Sequence, residues 1–169
     1  MIGPFDMKTA QAGKRLLKLS VLLTVLAQTT LASAQLVLVV SKESPIDSLS
    51  AKEIRKIFKG QSLVHAGNRP LQVVEYSPER ERFYKILYDQ SSYSIAKHWL
   101  RLIFSGERVV PPKSFSDPKR LCKYVSQAQN AVSFLPRSLF EEYRYDYAIK
   151  AVVVDGRHYQ DRDYLFFVK

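Results

Sequence analysis

The sequence predicts an α/β domain in which helices flank a mainly parallel sheet. Residues 36–40 form a continuous valine-rich apolar run, which is typical of a strand buried on both faces. Further apolar runs alternate along the chain with segments that carry helix caps, and this alternation favours a parallel sheet covered by helices. Residues 35–169 are expected to form a single domain, because a chain of this size that is 46% hydrophobic supports one core.

Residues 1–34 are expected to be a secretory signal peptide. Basic residues at 14–18 accompany an apolar run at 16–26, and Ala-Ser-Ala at 32–34 supplies the small-x-small pattern before a cleavage site. Gln35 is then the first mature residue, and the location is periplasmic. The alternative is a retained N-terminal anchor, although the apolar run is short for a membrane span.

The net charge of +10 is spread along the chain. The predicted signal peptide contains four basic residues and one acidic residue, which account for three of these charges. The rest of the chain contains no block of five like charges. An excess of this kind fits an exported protein that handles anions or contacts an acidic envelope surface. We do not expect a nucleic-acid partner for an exported chain with this distribution.

The first strand–helix unit covers residues 36–60. After the strand, Ser50 and Glu53 have the spacing of a capping box, which predicts a helix start. Apolar residues continue at helical spacing, and Gly60 is expected to end the helix.

The second unit, residues 71–88, contains the predicted binding site. A strand at 71–76 leads into a helix that opens at Ser77 and Pro78, a favoured N-cap followed by a residue that suits the first helical position. The start of a helix collects free N–H groups and the positive end of the dipole, so it attracts anions. Arg80 would add charge-assisted hydrogen bonds. The alternative, an ordinary junction with a capping serine and solvated arginines, is favoured by the local pattern alone.

The remaining elements continue the alternation of helices and strands. Trp99 falls in the apolar stripe of a helix and is expected in the core. The other predicted elements are a helix from Ser92 or Ser94 to Gly106, an extended path at 108–112, a helix capped by Asp117 up to about Gln127, a strand at 130–135, a short helix through Tyr143, and strands at 148–154 and 164–168.

Enzyme, metal and cofactor motifs are missing from the sequence. It contains no G-x-S-x-G, P-loop, G-x-G-x-x-G or H-E-x-x-H pattern. The histidines, His65, His98 and His158, are far apart in the chain. Cys122 is the single cysteine and lies on the apolar side of a helical pattern, so we expect a buried thiol without a disulfide. We therefore expect a protein that is not an enzyme and has no cofactor.

Several motifs occur in an order that is similar to a known family. They are L-S-x-x-E-I-x-x-I-F-x-G at 49–60, S-P-E-R-E-R-F at 77–83, W-L-R-L-I-F-S-G at 99–106, the proline pair at 111–112 and N-A-V-S-F-L at 130–135. This set resembles the phosphate-transporter substrate-binding proteins and their short relatives, and the resemblance covers about residues 36–136. The segment 77–83 matches the S-x-x-R-x-x-F pattern of the short relatives.

The resemblance implies a periplasmic-binding-protein-like fold of the second type, reduced to little more than one lobe. It also implies that phosphate or a similar oxyanion binds at a helix N-terminus, with an oxyanion role for Ser77 and Arg80. A membrane permease or an envelope protein is the implied partner. The alternative is a non-catalytic envelope protein-interaction module on the same fold, with ligand binding lost. The candidate ligand-binding residues are Ser77, Glu79, Arg80, Arg82 and Ser133.

Overall fold

The computed structural model describes residues 35–61, 64–65 and 69–167, which belong to one compact unit, Ala34–Lys169. The predicted signal peptide lies outside the described residues. The strands are β1 (Leu36–Ser41), β2 (Ser48–Leu49), β3 (Val64–His65), β4 (Arg69–Pro70), β5 (Gln72–Tyr76), β6 (Lys113–Phe115), β7 (Ala131–Pro136), β8 (Ile149–Ala151) and β9 (Val153–Val154). The helices are α1 (Ala51–Ile57), α2 (Arg80–Tyr88), α3 (Ser92–Phe104), α4 (Pro118–Gln127) and α5 (Arg137–Tyr143), and a 3₁₀ turn, Ser77–Glu79, precedes α2. None of the helices in this part of the chain is long and apolar enough to cross a membrane.

The central sheet has the strand order β6-β5-β7-β1-β8. Strand β5 pairs in parallel with β6 and β7, whereas β1 is antiparallel to β7 and β8. Four strands therefore run in one direction and β1 runs against them, which confirms a mainly parallel sheet with flanking helices. The apolar run in β1 predicted its burial and not its direction, because a strand buried on both faces has the same composition in either orientation.

Stacked aromatic rings join helix α2 to the middle of the sheet. The ring of Phe83 lies parallel to that of Phe134 on β7, with 3.8 Å between their centroids, and 4.6 Å from the ring of Phe58. All three side chains are fully buried. Aromatic pairs of this kind add to the free energy gained from burial alone. The stacking fixes the start of α2 relative to the sheet, and the candidate site lies at this start.

Two of the predicted helix caps are confirmed. The Glu53 backbone N–H donates to the Ser50 hydroxyl over 3.2 Å, and the Ser50 N–H donates to Glu53 Oε2 over 2.7 Å. Asp117 caps α4 by accepting from the Lys119 N–H over 2.9 Å. The cap of α3 was placed wrongly, because Ser91 and not Ser92 or Ser94 has the extended backbone and accepts a hydrogen bond from the helix.

The C-terminal part of the chain differs from the prediction of two long strands. The predicted strand at 148–154 is divided into β8, which pairs with β1, and β9, which pairs in parallel with β2. The predicted last strand at 164–168 is wrong within the described residues, since 164–167 form turns. Tyr164 and Phe166 are nevertheless buried, so these apolar residues fill the core without pairing as a strand.

Candidate functional site

The junction between β5 and α2 begins with the short 3₁₀ turn rather than with the α-helix. Tyr76 occupies the N-cap position of the turn, and no side-chain hydrogen bond caps the turn or α2. The prediction that Ser77 is the N-cap is therefore wrong, because Ser77 is already inside the turn and its carbonyl accepts from the Arg80 N–H. Its half-buried hydroxyl has no hydrogen-bond partner among the described residues, which leaves it available to a ligand.

Glu75, at the end of β5, is the buried centre of this site. Its side chain is 6% exposed and accepts hydrogen bonds from the Tyr84 hydroxyl and, over 2.9 Å, from the Ser114 hydroxyl. Burial, together with the Glu75 carboxylate, raises the pKa of Tyr84. A buried carboxylate is tolerated only when donors and positive charge surround it. Three side chains thus contact the Glu75 carboxylate near the end of β5, namely those of Tyr84, Ser114 and Arg80.

Arg80 holds the exposed positive charge of the site. Its Nη1 lies 3.5 Å from Glu75 Oε2, and its side chain is 41% exposed. The other guanidinium nitrogens have no acceptor within the described part of the chain. Because the Glu75 side chain is buried and the Arg80 side chain is 41% exposed, the positive member of the pair is the more accessible to solvent.

Arg80 and Glu75 both line an open groove of about 280 Å³. One wall is the face of α3 that carries Leu100 and Ile103, and the segment Pro111–Pro112 lines the groove as well. Ser92 and Ser114 contribute hydroxyl groups to the lining. The lining of the groove therefore combines the Glu75–Arg80 ion pair and two hydroxyl groups with apolar side chains.

Glu79 and Arg82 pair with each other beside the groove. Arg82 Nη2 lies 3.1 Å from Glu79 Oε2. This contact is an ion pair by distance but lacks hydrogen-bond geometry, and the Nε and Nη2 atoms of Arg82 are buried without a hydrogen bond in the described structure. The 3₁₀ turn and the first turn of α2 thus contain four of the five predicted residues, but of these only Arg80 is among the residues that line the groove.

Ser133 lies inside the sheet. It is in β7 opposite Val39 of β1, and it is fully buried, with a hydroxyl that has no partner among the described residues. The structure thus does not bring Ser133 to the groove.

A second cavity, of about 330 Å³, lies beside β8, and its lining includes Lys42, Arg144 and Lys150. Arg144 Nη1 lies 3.2 Å from Glu141 Oε2, and its Nη2 donates to the Tyr145 hydroxyl. Lys150 Nζ lies 2.6 Å from Asp47 Oδ1. These pairs engage Arg144 and Lys150, whereas Lys42 has no ion-pair partner among the described residues.

Groupings of side chains that could hold a metal ion do not occur in the described part of the chain. His98 Nε2 lies 3.1 Å from the Lys59 carbonyl oxygen, and the side chain of His65 lies outside the described residues. Cys122 is fully buried, and burial raises the pKa of its thiol to about 12. The expectation of a buried, free cysteine is confirmed.

Three solved structures are similar to this chain in fold. PstS from Borrelia burgdorferi matches with a TM-score of 0.54 and 9% identity, over 78% of this chain and 53% of that protein. A putative phosphate ABC transporter substrate-binding protein with bound phosphate, from Clostridium perfringens, matches with a TM-score of 0.51 and 19% identity, over 73% and 46%. A possible phosphate-binding protein from Planctomyces limnophilus has a TM-score of 0.51 and 16% identity, over 72% and 41%. No protein-family model and no curated protein matches the sequence.

These matches define the fold class as a periplasmic-binding-protein-like α/β domain. At identities of 9–19% the likeness extends to the fold alone. Among the three reported structures, one is described with bound phosphate and another as a possible phosphate-binding protein. The chain spans about half the length of these structures.

Proposed function

We propose that this chain is an exported, non-enzymatic domain that binds phosphate or a similar small oxyanion at the turn before α2. The observation that carries the proposal is the partly exposed side chain of Arg80, which pairs with the buried carboxylate of Glu75 in the lining of the groove. A guanidinium held by one nitrogen keeps its other N–H groups for a second partner. Phosphate oxygens accept such charge-assisted hydrogen bonds.

The turn supplies further donors beside Arg80. The Ser77 hydroxyl is not used as a cap, and backbone N–H groups at the start of a helix have no partner within the helix. Pro78 removes one of these N–H groups, so the Arg80 side chain provides more of the recognition. Glu79 and Arg82 neutralise each other at 3.1 Å, and we assign them to shaping the turn.

The fold neighbours and the leader support the biological setting. One neighbour of known structure holds bound phosphate, which makes phosphate the first ligand to test here. The predicted leader at 1–34 favours the periplasm, where a permease or another envelope protein would be the partner. Because the groove is open, a ligand keeps part of its hydration, and we expect weaker binding than in an enclosed site.

Calorimetric titration with phosphate tests the proposal on protein purified after expression of the full chain. We expect saturable binding in the wild type, loss of binding in Arg80→Ala and weaker binding in Ser77→Ala. Arg120→Ala is the matched control, because Arg120 is exposed on α4 and its loss changes the net charge equally. Absence of binding at millimolar phosphate would refute the proposal, as would an equal loss in Arg80→Ala and Arg120→Ala.

The second candidate function is an envelope interaction module, and the exposed side of α3 favours it. Leu100, Ile103 and Phe104 are 53%, 44% and 86% exposed, and contiguous apolar surface marks contact sites in soluble proteins. A photo-crosslinking residue at position 104 would trap one defined partner in cells, whereas one at Tyr145, an exposed site elsewhere, would not. Identical products from both positions would count against this function.

A further inference from the structure

The groove is larger and more apolar than a phosphate ion requires. Its volume is about 280 Å³, whereas phosphate is only a few atoms across and is polar on every side. Bound at Arg80, phosphate would leave the apolar part of the groove filled with water. Water against apolar walls is unfavourable, and its release is a source of binding free energy.

The apolar wall is a face of α3 that the core does not use. Ala96, Leu100 and Ile103 are spaced as neighbours along one helix face and line the groove. Ile95 is buried in the core on another side of the same helix. Helix α3 therefore carries one apolar stripe towards the core and a second towards the groove, and a helix that is apolar on both sides needs a partner on each.

We propose that the natural ligand is an organic oxyanion, such as a phosphonate or phosphate monoester with an aryl or alkyl substituent. Arg80 binds the oxyanion, and the substituent lies against Leu100 and Ile103 between α3 and Pro111–Pro112. This inference rests on the proposed anion-binding role of Arg80 and specifies the substrate class of that site. Inorganic phosphate is then the smallest ligand of this class, and it binds at the same site.

Trp99 is a built-in reporter for this groove. It is the only tryptophan of the chain, it is 5% exposed, and it is one of the groove-lining residues. A ring placed beside Trp99 changes the polarity around the indole and so its emission. Tryptophan fluorescence therefore measures occupancy of the apolar part, while calorimetry measures total binding.

The experiment compares inorganic phosphate, methylphosphonate and phenylphosphonate. A phenyl ring that buries roughly 60 Å² of apolar surface gains about tenfold in affinity, so we expect phenylphosphonate to bind about ten times more tightly than methylphosphonate. Ile103→Ser should abolish this ratio and the fluorescence change. Phe104→Ser is the matched control, because Phe104 is the next residue, is 86% exposed and is not among the groove-lining residues. Arg80→Ala should weaken the binding of both phosphonates.

The outcomes separate this inference from the proposed function. If phosphate binds through Arg80 but phenylphosphonate binds no more tightly, the inference is overturned and the function stands. A tenfold ratio that persists in Ile103→Ser, or binding of phenylphosphonate that persists in Arg80→Ala, also overturns it. If none of the three ligands binds, the proposed function fails and the inference fails with it. Circular dichroism of each variant establishes that its fold is intact.

Discussion

The contact between Gly60 and Trp99 gives a sharp test of the structure, because the chain contains a matched control. A Cβ atom added at Gly60 would lie 2.8 Å from Cζ3 and 2.9 Å from Cη2 of Trp99. Gly60 also has a φ of +76°, in the left-handed region that disfavours other residues. Gly60→Ala therefore combines backbone strain with a steric clash against a buried ring.

The glycine at position 106 has the strain without the clash. Its φ is +78°, and a Cβ added there meets nothing within 4 Å. Left-handed backbone costs a non-glycine residue about 1–2 kcal/mol, and overpacking a filled site costs about 1–3 kcal/mol more. We expect Gly106→Ala to lose about 1–2 kcal/mol of unfolding free energy, and Gly60→Ala about 2–5 kcal/mol.

Urea denaturation followed by circular dichroism measures both losses without using Trp99 as the probe. The fluorescence and near-ultraviolet dichroism of Trp99 should change in native Gly60→Ala and stay unchanged in Gly106→Ala. If the two variants lose the same free energy to within about 0.5 kcal/mol, the close approach of α3 to the turn at Gly60 is wrong. The groove wall built from Trp99 would then be wrong as well.

Four further predictions concern the buried polar groups and the site. Glu75→Gln should lower the unfolding free energy by about 2 kcal/mol, because an amide replaces the charged acceptor of several donors. Urea denaturation measures this loss, and the control Glu107→Gln, at an exposed position, should stay within about 0.5 kcal/mol of wild type. Cys122 should resist a thiol reagent at pH 8 until urea unfolds the chain. Because burial raises the pKa of Cys122 to about 12 and also raises that of Tyr84, the unfolded state loses these protons first, so stability should fall as the pH rises above about 9. Urea midpoints that are constant from pH 8 to 11 would contradict this. In calorimetric titrations, Arg80→Lys should bind phosphate as weakly as Arg80→Ala.

Much of the fold could be predicted because the signals are local. The capping box at Ser50 and Glu53 needs only four consecutive residues, and the burial of β1 follows from its composition. The direction of β1 could not be predicted, because it depends on pairing with β7 and β8, which lie far along the chain. The C-terminal run at 164–168 shows the same limit, since apolar composition predicts burial and leaves strand pairing undecided.

The site was predicted in part, for similar reasons. Arg80 was named from its position in the first turn of a helix, a local feature. Glu75 was missed, although its place in the apolar run V-V-E-Y carried a signal: a carboxylate in a buried strand needs charged or hydroxyl partners. Ser114 could not have been found, because it reaches Glu75 through the pairing of β5 with β6.

In the site that we propose, the arrangement of Glu75, Pro78 and Arg80 moves anion recognition from the backbone to a side chain. Pro78 removes a backbone donor from the turn, and the 3₁₀ geometry takes Ser77 out of the cap position. The charge at the groove then depends on one guanidinium that must satisfy a buried acid and still bind a ligand. Arginine can do both, since its donors point in different directions, whereas a lysine ammonium is a single point charge for which Glu75 and the ligand would compete. The geometry of this pair, rather than positive charge as such, is therefore what the site requires.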